Sequence, residues 1–123
     1  RTILFREEHS PRVLVDRVAH VSAPGVSPPG VFRRGHAQAL VTGRCVFRFH
    51  PGRARFSLDS LHLGETVASI RVATGFDFDG DAAPETIPPN DVELALLRGA
   101  VADEMLETYP EFCARVFNRK AAA

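Results

Sequence analysis

The sequence predicts an α/β fold, and three observations lead to this class. Its 123 residues are 45% hydrophobic and 24% charged, which suits one globular domain covering 1–123 and excludes disordered, collagen-like and coiled-coil chains. Two segments carry the apolar and polar patterns of β-strands. Two others begin with side chains that cap α-helices.

The first predicted strand covers residues 12–21, RVLVDRVAHV, where apolar residues occupy alternate positions and only Arg17 interrupts them. Nearly continuous apolar runs of this kind are typical of buried strands in parallel sheets. Residues 22–30 follow with three prolines and two glycines, which exclude both a helix and a continued strand. We therefore expect a shaped loop after the first strand.

The second and third predicted strands form a hairpin. Residues 40–49 alternate, the segment 50–53 has the proline and glycine of a turn, and residues 54–63 resume as a strand. A tight hairpin would place Phe47 opposite Phe56.

The same register would place Cys45 opposite Leu58. The apolar parity then changes before Leu61, which predicts a bulge near Asp59 or Ser60.

Helices are predicted in the second half of the chain. Thr66 can cap a short helix that places Val67, Ile70 and Thr74 on one face, and Gly75 can end it in a left-handed conformation. Residues 76–89 are rich in Asp, Pro and Ala and form a predicted loop or linker.

Residues 90–119 are predicted to form the C-terminal helices. Asn90 and Glu93 make a capping box, and Pro110 ends the helix that they begin. Residues 111–118 form the last predicted helix. The residues predicted to face inward on the long helix are Leu94, Leu97, Val101 and Met105.

Charge is distributed unevenly along the chain although the net charge is zero. Residues 1–58 carry ten basic and three acidic side chains, whereas residues 59–123 carry five basic and twelve acidic ones. Between Arg17 and Leu58 there is no acid at all. This basic stretch could bind phosphate, or it could neutralise the acidic half of the chain or a partner subunit.

The spacing of residues argues against several well-known kinds of metal site and catalytic site. The aspartates of residues 77–81 lack the glycine and glutamate that an EF-hand requires, and the five histidines do not form a metal pair, so we expect no metal. No G-x-S-x-G elbow is present for serine hydrolysis. Glu7 and Glu8 lie in a polar N-terminal segment that predicts exposure.

The location predicted for the protein is the cytoplasm. No apolar run is long enough to span a membrane, the N-terminus lacks the apolar centre of a signal peptide, and two cysteines are too few for a disulfide framework. Because the first residue is Arg1 rather than Met, we expect a processed chain or a piece of a longer one.

The order of these segments resembles the C-terminal part of the β subunit of family I CoA-transferases, nearest the glutaconate CoA-transferase branch. The matching segments extend from about Arg12 to Arg98. In chain order they are VDRVAHVSAPG, ALVTGRCVFRF, SLDSLHLGETVASIRVATGFDFD and ETIPPNDVELALLR. Three positions depart from the family pattern: Ala23 is inserted in a Ser-Pro-Gly loop, Gly43 replaces an asparagine, and Leu63 replaces a proline.

The resemblance implies a partial, open, largely parallel sheet with a C-terminal β-hairpin and flanking helices. It also implies transfer of CoA between carboxylic acids through a glutamyl-CoA thioester. The family's nucleophilic glutamate lies in the N-terminal half of the subunit, so we assign no catalytic residue to this chain. We expect an α subunit or that N-terminal half as partner, acyl-CoA as substrate, no covalently bound cofactor, and no activity of the chain alone.

The loop after the first predicted strand is the candidate binding site, because ligands of open α/β sheets gather at the carboxyl ends of strands. Its glycines leave backbone amides accessible, and its arginines could engage CoA phosphates. A simple tight surface loop is an equally open interpretation. The candidate acyl-CoA contacts are Ser22, Pro24, Gly25, Gly30, Arg33 and Arg34.

Other functions stay open. Some members of the same family open rings of acyl-CoA substrates by hydrolysis, and a non-catalytic chain could pair with another subunit through its hairpin. A phosphate- or nucleic-acid-binding module using the basic half would show salt-sensitive association. The alternating phenylalanines are better explained as hairpin core than as a stacking platform, so we expect neither nucleic acid nor membrane as a partner.

Overall fold

A computed structural model describes residues 1–119 of the chain. These residues divide into two compact units, the first covering Arg1–Thr86 and the second beginning at Ile87. The boundary between the units falls inside the linker predicted for residues 76–89.

The first unit contains a mixed four-stranded sheet with the strand order β1-β2-β3-β4. Strands β1 and β2 are parallel, whereas the other two neighbouring pairs are antiparallel. The predicted α/β class is confirmed, but within the described residues parallel pairing is limited to one of the three pairs. The strands are β1 (Thr2–Arg6), β2 (Ala37–Thr42), β3 (Cys45–His50) and β4 (Arg55–Leu61).

The prediction of a strand at residues 12–21 is wrong. This segment forms turns and irregular backbone, and the amides of Val13 and Leu14 both donate locally to the carbonyl of Ser10. With these amides used in a turn, the valine-rich run cannot extend a sheet ladder there. The parallel strand is instead β1, in the N-terminal segment whose charged residues predicted a polar surface.

The segment predicted as one strand, residues 40–49, is divided between β2 and β3 by a tight turn at Gly43 and Arg44. The hydroxyl of Thr42 accepts hydrogen bonds from the Arg44 and Cys45 amides at 3.2 and 3.0 Å. A two-residue turn preserves the alternation of the sequence, which is why the pattern could not reveal it.

The predicted hairpin is confirmed between β3 and β4, joined by a short 3-10 turn, Pro51–Arg53. The predicted register is wrong, because Phe47 lies opposite Leu58 and Phe49 lies opposite Phe56. The longer turn that begins at Pro51 shifts the pairing by two residues.

The predicted bulge in β4 is confirmed. Val46 pairs with Ser60 and its neighbour Phe47 pairs with Leu58, so Asp59 is the extra residue. Together with the two-residue shift of the register, the bulge explains why Cys45 lies opposite Leu61 rather than opposite Leu58.

The two edges of the sheet differ. Strand β4 is covered by residues 79–86, whose backbone exchanges hydrogen bonds with Phe56, Leu58 and Leu61. Strand β1 has no neighbouring strand on its outer side within residues 1–119, and all five of its residues are exposed, Phe5 by 71%. One sheet edge is therefore free to pair with another strand.

Helix α1 (Val67–Ala73) packs Ile70 into the core around Phe47, and both side chains are fully buried. The predicted cap at Thr66 is confirmed: its hydroxyl accepts from the Ser69 amide at 3.1 Å. The predicted left-handed end at Gly75 is wrong, because Thr74 ends the helix in an extended conformation.

The second unit is helical. Asn90 and Glu93 form the predicted capping box. Gly99 has non-helical backbone angles (φ −100°, ψ −109°) inside a π-helical segment that interrupts the predicted long helix. Pro110 begins a new helix, as its preference for the first helical turn explains. The segments are α2 (Asp91–Leu96), a π-helix (Leu97–Val101), α3 (Ala102–Thr108) and α4 (Pro110–Val116).

The inward face predicted for the long helix is only half buried. Leu94, Val101 and Met105 are half-buried and Leu97 is exposed, whereas Ala102 and Cys113 are fully buried. The π-helical segment breaks the 3.6-residue repeat, so positions on its two sides no longer share a face. Among residues 1–119, every helix is too short or too polar to cross a membrane.

Candidate functional site

A cavity of about 650 Å³ lies in the first unit, bounded by β1, the loop before β2, and the β3–β4 hairpin. This volume is in the range of small-molecule sites. The larger apolar side chains of its lining are Leu4, Val26, Phe49 and Phe56.

The cavity brings together four of the six residues predicted from the sequence: Pro24, Gly25, Arg33 and Arg34 all line it. Ser22 is exposed in the same loop but does not line the cavity. Gly30 lies at a turn with a φ of +81° and has open space around it, so its role there is to form the turn.

Gly25 touches the aromatic wall of the cavity. A Cβ atom at this position would lie 2.8 Å from Cζ of Phe49, which is closer than side chains approach each other. The ring of Phe49 in turn packs on Phe56, with ring centroids 5.1 Å apart. The glycine of the loop is therefore needed for close contact with the hairpin.

The basic side chains of the lining are Arg33, Arg34 and His36. The guanidinium of Arg33 donates a hydrogen bond to the carbonyl of Pro24 and so ties the two arms of the loop together. Nδ1 of His36 donates to the carbonyl of Ala37 at 2.7 Å, which leaves Nε2 as the remaining polar atom of the ring. The lining contains no acidic residue.

Most arginines of the acid-free stretch are neutralised by later acids. Their partners are Glu65, Asp59 and Asp79, and the paired arginines are Arg44, Arg48, Arg53 and Arg55. Within residues 1–119, Arg17, Arg33 and Arg34 form no ion pair. Unneutralised positive charge is therefore concentrated at the cavity, where two of these three residues lie.

A buried polar cluster around His9 was not predicted. Nδ1 of His9 lies 2.9 Å from the Thr42 hydroxyl, and Nε2 lies 2.9 Å from the Thr74 hydroxyl. The Thr74 hydroxyl donates to the Ile70 carbonyl at 2.7 Å, so Nε2 carries the proton that Thr74 accepts. The Thr42 hydroxyl accepts two backbone amides, and its single proton is shared between the Cys45 carbonyl at 3.0 Å and Nδ1 of His9. No local sequence pattern could reveal contacts between residues 33 and 65 positions apart.

This cluster favours neutral side chains. Burial, reinforced by the nearby Arg44 guanidinium, lowers the pKa of His9, although the Glu65 carboxylate opposes the shift. Burial also raises the pKa of the Cys45 thiol to about 11. Cys45 is therefore protonated at neutral pH and unsuited to act as a nucleophile.

A bidentate ion pair joins the turn after β2 to the segment before α1. Nε and Nη2 of Arg44 lie 2.8 and 2.7 Å from the two carboxylate oxygens of Glu65. These hydrogen bonds, with another from Ser69, lower the pKa of Glu65 to about 2 from a reference of 4.5. The stabilisation is thus present above about pH 4.5 and is lost as the pH falls towards 2.

We expect Glu65→Gln to lower the free energy of unfolding by about 1 kcal/mol at pH 7, because it removes one partner of a well-aligned pair. The difference from the unmodified chain should shrink as the pH falls from 4.5 to 2. Urea titrations across this range measure it. The control is Asp81→Asn, whose side chain is 99% exposed in its pair with Arg71 and should have a smaller effect. A pH-independent effect of Glu65→Gln would contradict the assignment.

Two of the three aspartates of residues 77–81 serve as ion-pair partners. Asp79 contacts Arg53 and Arg55, and Asp81 contacts Arg71. Among the residues that the structure describes, no group of three or more His, Cys, Asp or Glu side chains could hold a metal ion.

The chain is 36% identical over 103 residues to the cholesterol ring-cleaving hydrolase IpdB subunit of Mycobacterium tuberculosis H37Rv and of Mycobacterium bovis. The match covers 80% of this chain and 41% of the relative. No protein-family model matches the sequence.

Two solved structures have folds similar to that of this chain. The fold is similar to IpdAB of Rhodococcus jostii RHA1, with a TM-score of 0.72 and 31% identity over 79% of this chain and 41% of that one. It is also similar to glutaconate coenzyme A-transferase from Acidaminococcus fermentans, with a TM-score of 0.67; at 23% identity over 79% and 40% of the two chains, this likeness concerns the fold.

The chain spans about two-fifths of the length of the relatives that it matches. The matched part nevertheless covers most of the chain, and the sequence and fold comparisons agree. The resemblance predicted from the sequence is therefore confirmed: over most of its length the chain is similar in sequence to part of the IpdB subunit, and in fold to IpdAB and to glutaconate coenzyme A-transferase.

Proposed function

We propose that the chain is part of an enzyme that processes acyl-CoA thioesters and that its cavity contacts the substrate. The observation that carries this proposal is the convergence of Pro24, Gly25, Arg33 and Arg34 on one cavity in a chain that is similar to IpdB. These residues come from the loop in which the family resemblance predicts substrate contacts.

Hydrolytic ring opening is the reaction that we favour over CoA transfer. The identity to the IpdB subunit, named a ring-cleaving hydrolase, is 36%, whereas glutaconate CoA-transferase is 23% identical and supports the fold alone. The transfer reaction is the second candidate. Both reactions act on a CoA thioester, so the same cavity could serve either one.

In the transfer reaction the nucleophile would come from outside these residues. A glutamate carboxylate would attack the thioester carbonyl, the carbon–sulfur bond would break, and CoA thiolate would leave an acyl-glutamyl anhydride. The thiolate would then attack the glutamyl carbonyl, which releases the first acid as a carboxylate and forms glutamyl-CoA. An acceptor acid reverses these two steps, and water in its place would release free CoA.

A partner subunit is part of the proposal. The outer edge of β1 is exposed, and its apolar side chains Ile3 and Phe5 are 65% and 71% exposed. An uncovered apolar edge favours pairing with another strand. This surface also supports the alternative of a non-catalytic chain that only pairs with a partner, so the two must be separated by activity.

The test is to co-express the chain with an IpdA-type α subunit and with the N-terminal half of a β subunit, which would carry the nucleophilic glutamate, and to supply a cyclic acyl-CoA together with an isotope-labelled free acid. Addition of one water to the acyl group, with the thioester intact and without label, supports hydrolytic ring opening, and label in the thioester supports transfer. Formation of a stable complex that performs neither reaction on a panel of cyclic and linear acyl-CoA thioesters would reject the catalytic proposal in favour of the interaction role.

A further inference from the structure

We propose that the open edge of β1 binds a second copy of this chain, with the two β1 strands antiparallel, so that two four-stranded sheets join into one. This inference goes beyond the proposed function and involves no substrate. It concerns the edge that a partner subunit is also proposed to occupy. Because one edge accepts one strand at a time, the second copy occupies it when no partner strand is present.

The two edges of the sheet are protected to different degrees. Residues 79–86 lie along β4 and exchange backbone hydrogen bonds with it. Along β1, the consecutive side chains Ile3, Leu4 and Phe5 are 65%, 44% and 71% exposed. Proteins commonly protect an open edge with lysine, proline or an inward charge, and these three positions carry none of them. An unprotected apolar edge is a template for a further strand.

β1 itself is regular. The irregularity in the β1–β2 ladder falls on β2, because Thr2 pairs with Ala37 and Ile3 pairs with Ala39, which leaves Gln38 as the extra residue. The remaining residues of β1 pair consecutively with those of β2. A regular strand presents its outward backbone groups at the spacing that an incoming strand requires.

One antiparallel register makes β1 complementary to itself. Opposite residues of a strand pair share a face of the sheet, so the two-fold axis must lie beside a residue and not between two residues. An axis beside Leu4 pairs all five residues of β1. Leu4 then lies opposite its own copy, Ile3 opposite Phe5, and Thr2 opposite Arg6. An axis beside Ile3 or beside Phe5 leaves two residues of β1 without a partner in the other β1 strand.

The side chains that meet in this register are compatible. Ile3 of one copy lies beside Phe5 of the other on both sides of the axis, and apolar cross-strand pairs of this kind stabilise antiparallel sheets. Phe5 already lies opposite Val41 of β2, so the new contacts extend an existing apolar row. Arg6, the single charged residue of β1, meets Thr2. The pairing therefore buries apolar surface without placing like charges opposite each other.

The mass of the purified chain in solution tests the pairing. In light scattering over a dilution series, we expect the mass to rise from 13.5 kDa towards twice this value as the concentration increases. Phe5→Lys should weaken the association about tenfold, because it replaces both Ile3–Phe5 contacts. The matched control is Val72→Lys, which changes an 82% exposed apolar residue of α1 and should leave the association unchanged. A mass of 13.5 kDa at every concentration, or equal weakening by the two variants, would overturn the proposal.

Cysteine cross-linking tests the register, because a disulfide requires Cα atoms about 4.4–6.8 Å apart. Leu4→Cys places the two introduced cysteines opposite each other at the axis, whereas Thr2→Cys separates them by about 13 Å along the strands. The native Cys45 and Cys113 are buried and do not compete. We expect mild oxidation to give a covalent dimer of Leu4→Cys and none of Thr2→Cys. Equal cross-linking of both variants, or of neither, would contradict the β1–β1 pairing.

Discussion

Gly75→Ala is expected to lower the free energy of unfolding of the first unit by about 3 kcal/mol. The Gly75 amide donates to the Leu14 carbonyl at 2.6 Å, and a Cβ atom would collide with that carbonyl oxygen. The atoms that the Cβ atom would meet, the Leu14 carbonyl oxygen and the Val15 Cα, belong to the backbone, so they cannot move aside as the end of a side chain would. Urea denaturation followed through the amide signals of β3 measures the change in the correct unit.

Gly52→Ala is the matched control, because a Cβ atom at Gly52 meets nothing within 4 Å. It should change the stability by less than about 0.5 kcal/mol. Equal stability of the two variants would show that the Leu14 carbonyl does not lie against Gly75 as described.

His9→Ala is expected to cost about 3 kcal/mol, since it removes two buried hydrogen bonds and leaves a cavity. The same substitution should alter the pH dependence of stability. The pKa of His9 is lowered on folding, so the unfolded chain binds its proton more readily than the folded one. The free energy of unfolding therefore decreases as the pH falls below about 6.5.

His20→Ala is the control, because His20 is exposed and should contribute little to stability. The expected result is that His9→Ala flattens the decrease between pH 6.5 and 5, whereas His20→Ala does not. A decrease that survives His9→Ala unchanged would assign it to another group. A fully stable His9→Ala variant would contradict the buried network itself.

The elements predicted correctly from sequence are those whose causes are local. The caps at Thr66 and Asn90 and the bulge at Asp59 each depend on a few neighbouring residues. β1 could not be predicted because its pairing partner β2 lies more than 30 residues away, while the charged residues at its end, Arg6 to Glu8, predicted a polar surface. The strand prediction for residues 12–21 is wrong for the converse reason. The valines of this segment favour a strand, but the amides of Val13 and Leu14 donate to the nearby Ser10 carbonyl.

The same distinction between local and long-range causes applies to the candidate site. Glycine, proline and arginine in one loop predicted where a ligand could approach, and Pro24, Gly25, Arg33 and Arg34 indeed line one cavity. The aromatic wall could not be predicted, because alternation alone assigned Phe49 to the hairpin core. Only the three-dimensional contact between Gly25 and Phe49 makes it part of the cavity.

The central claim is that this chain provides a wall of an acyl-thioester cavity whose reactive carboxylate belongs to other residues. Photolabelling of the complex with an α subunit, by an acyl-CoA that carries a diazirine on its acyl group, tests it most directly. The account predicts that the label is found within residues 23–37 of this chain and is reduced by excess unlabelled acyl-CoA. Competable labelling confined to the partner subunit would contradict it.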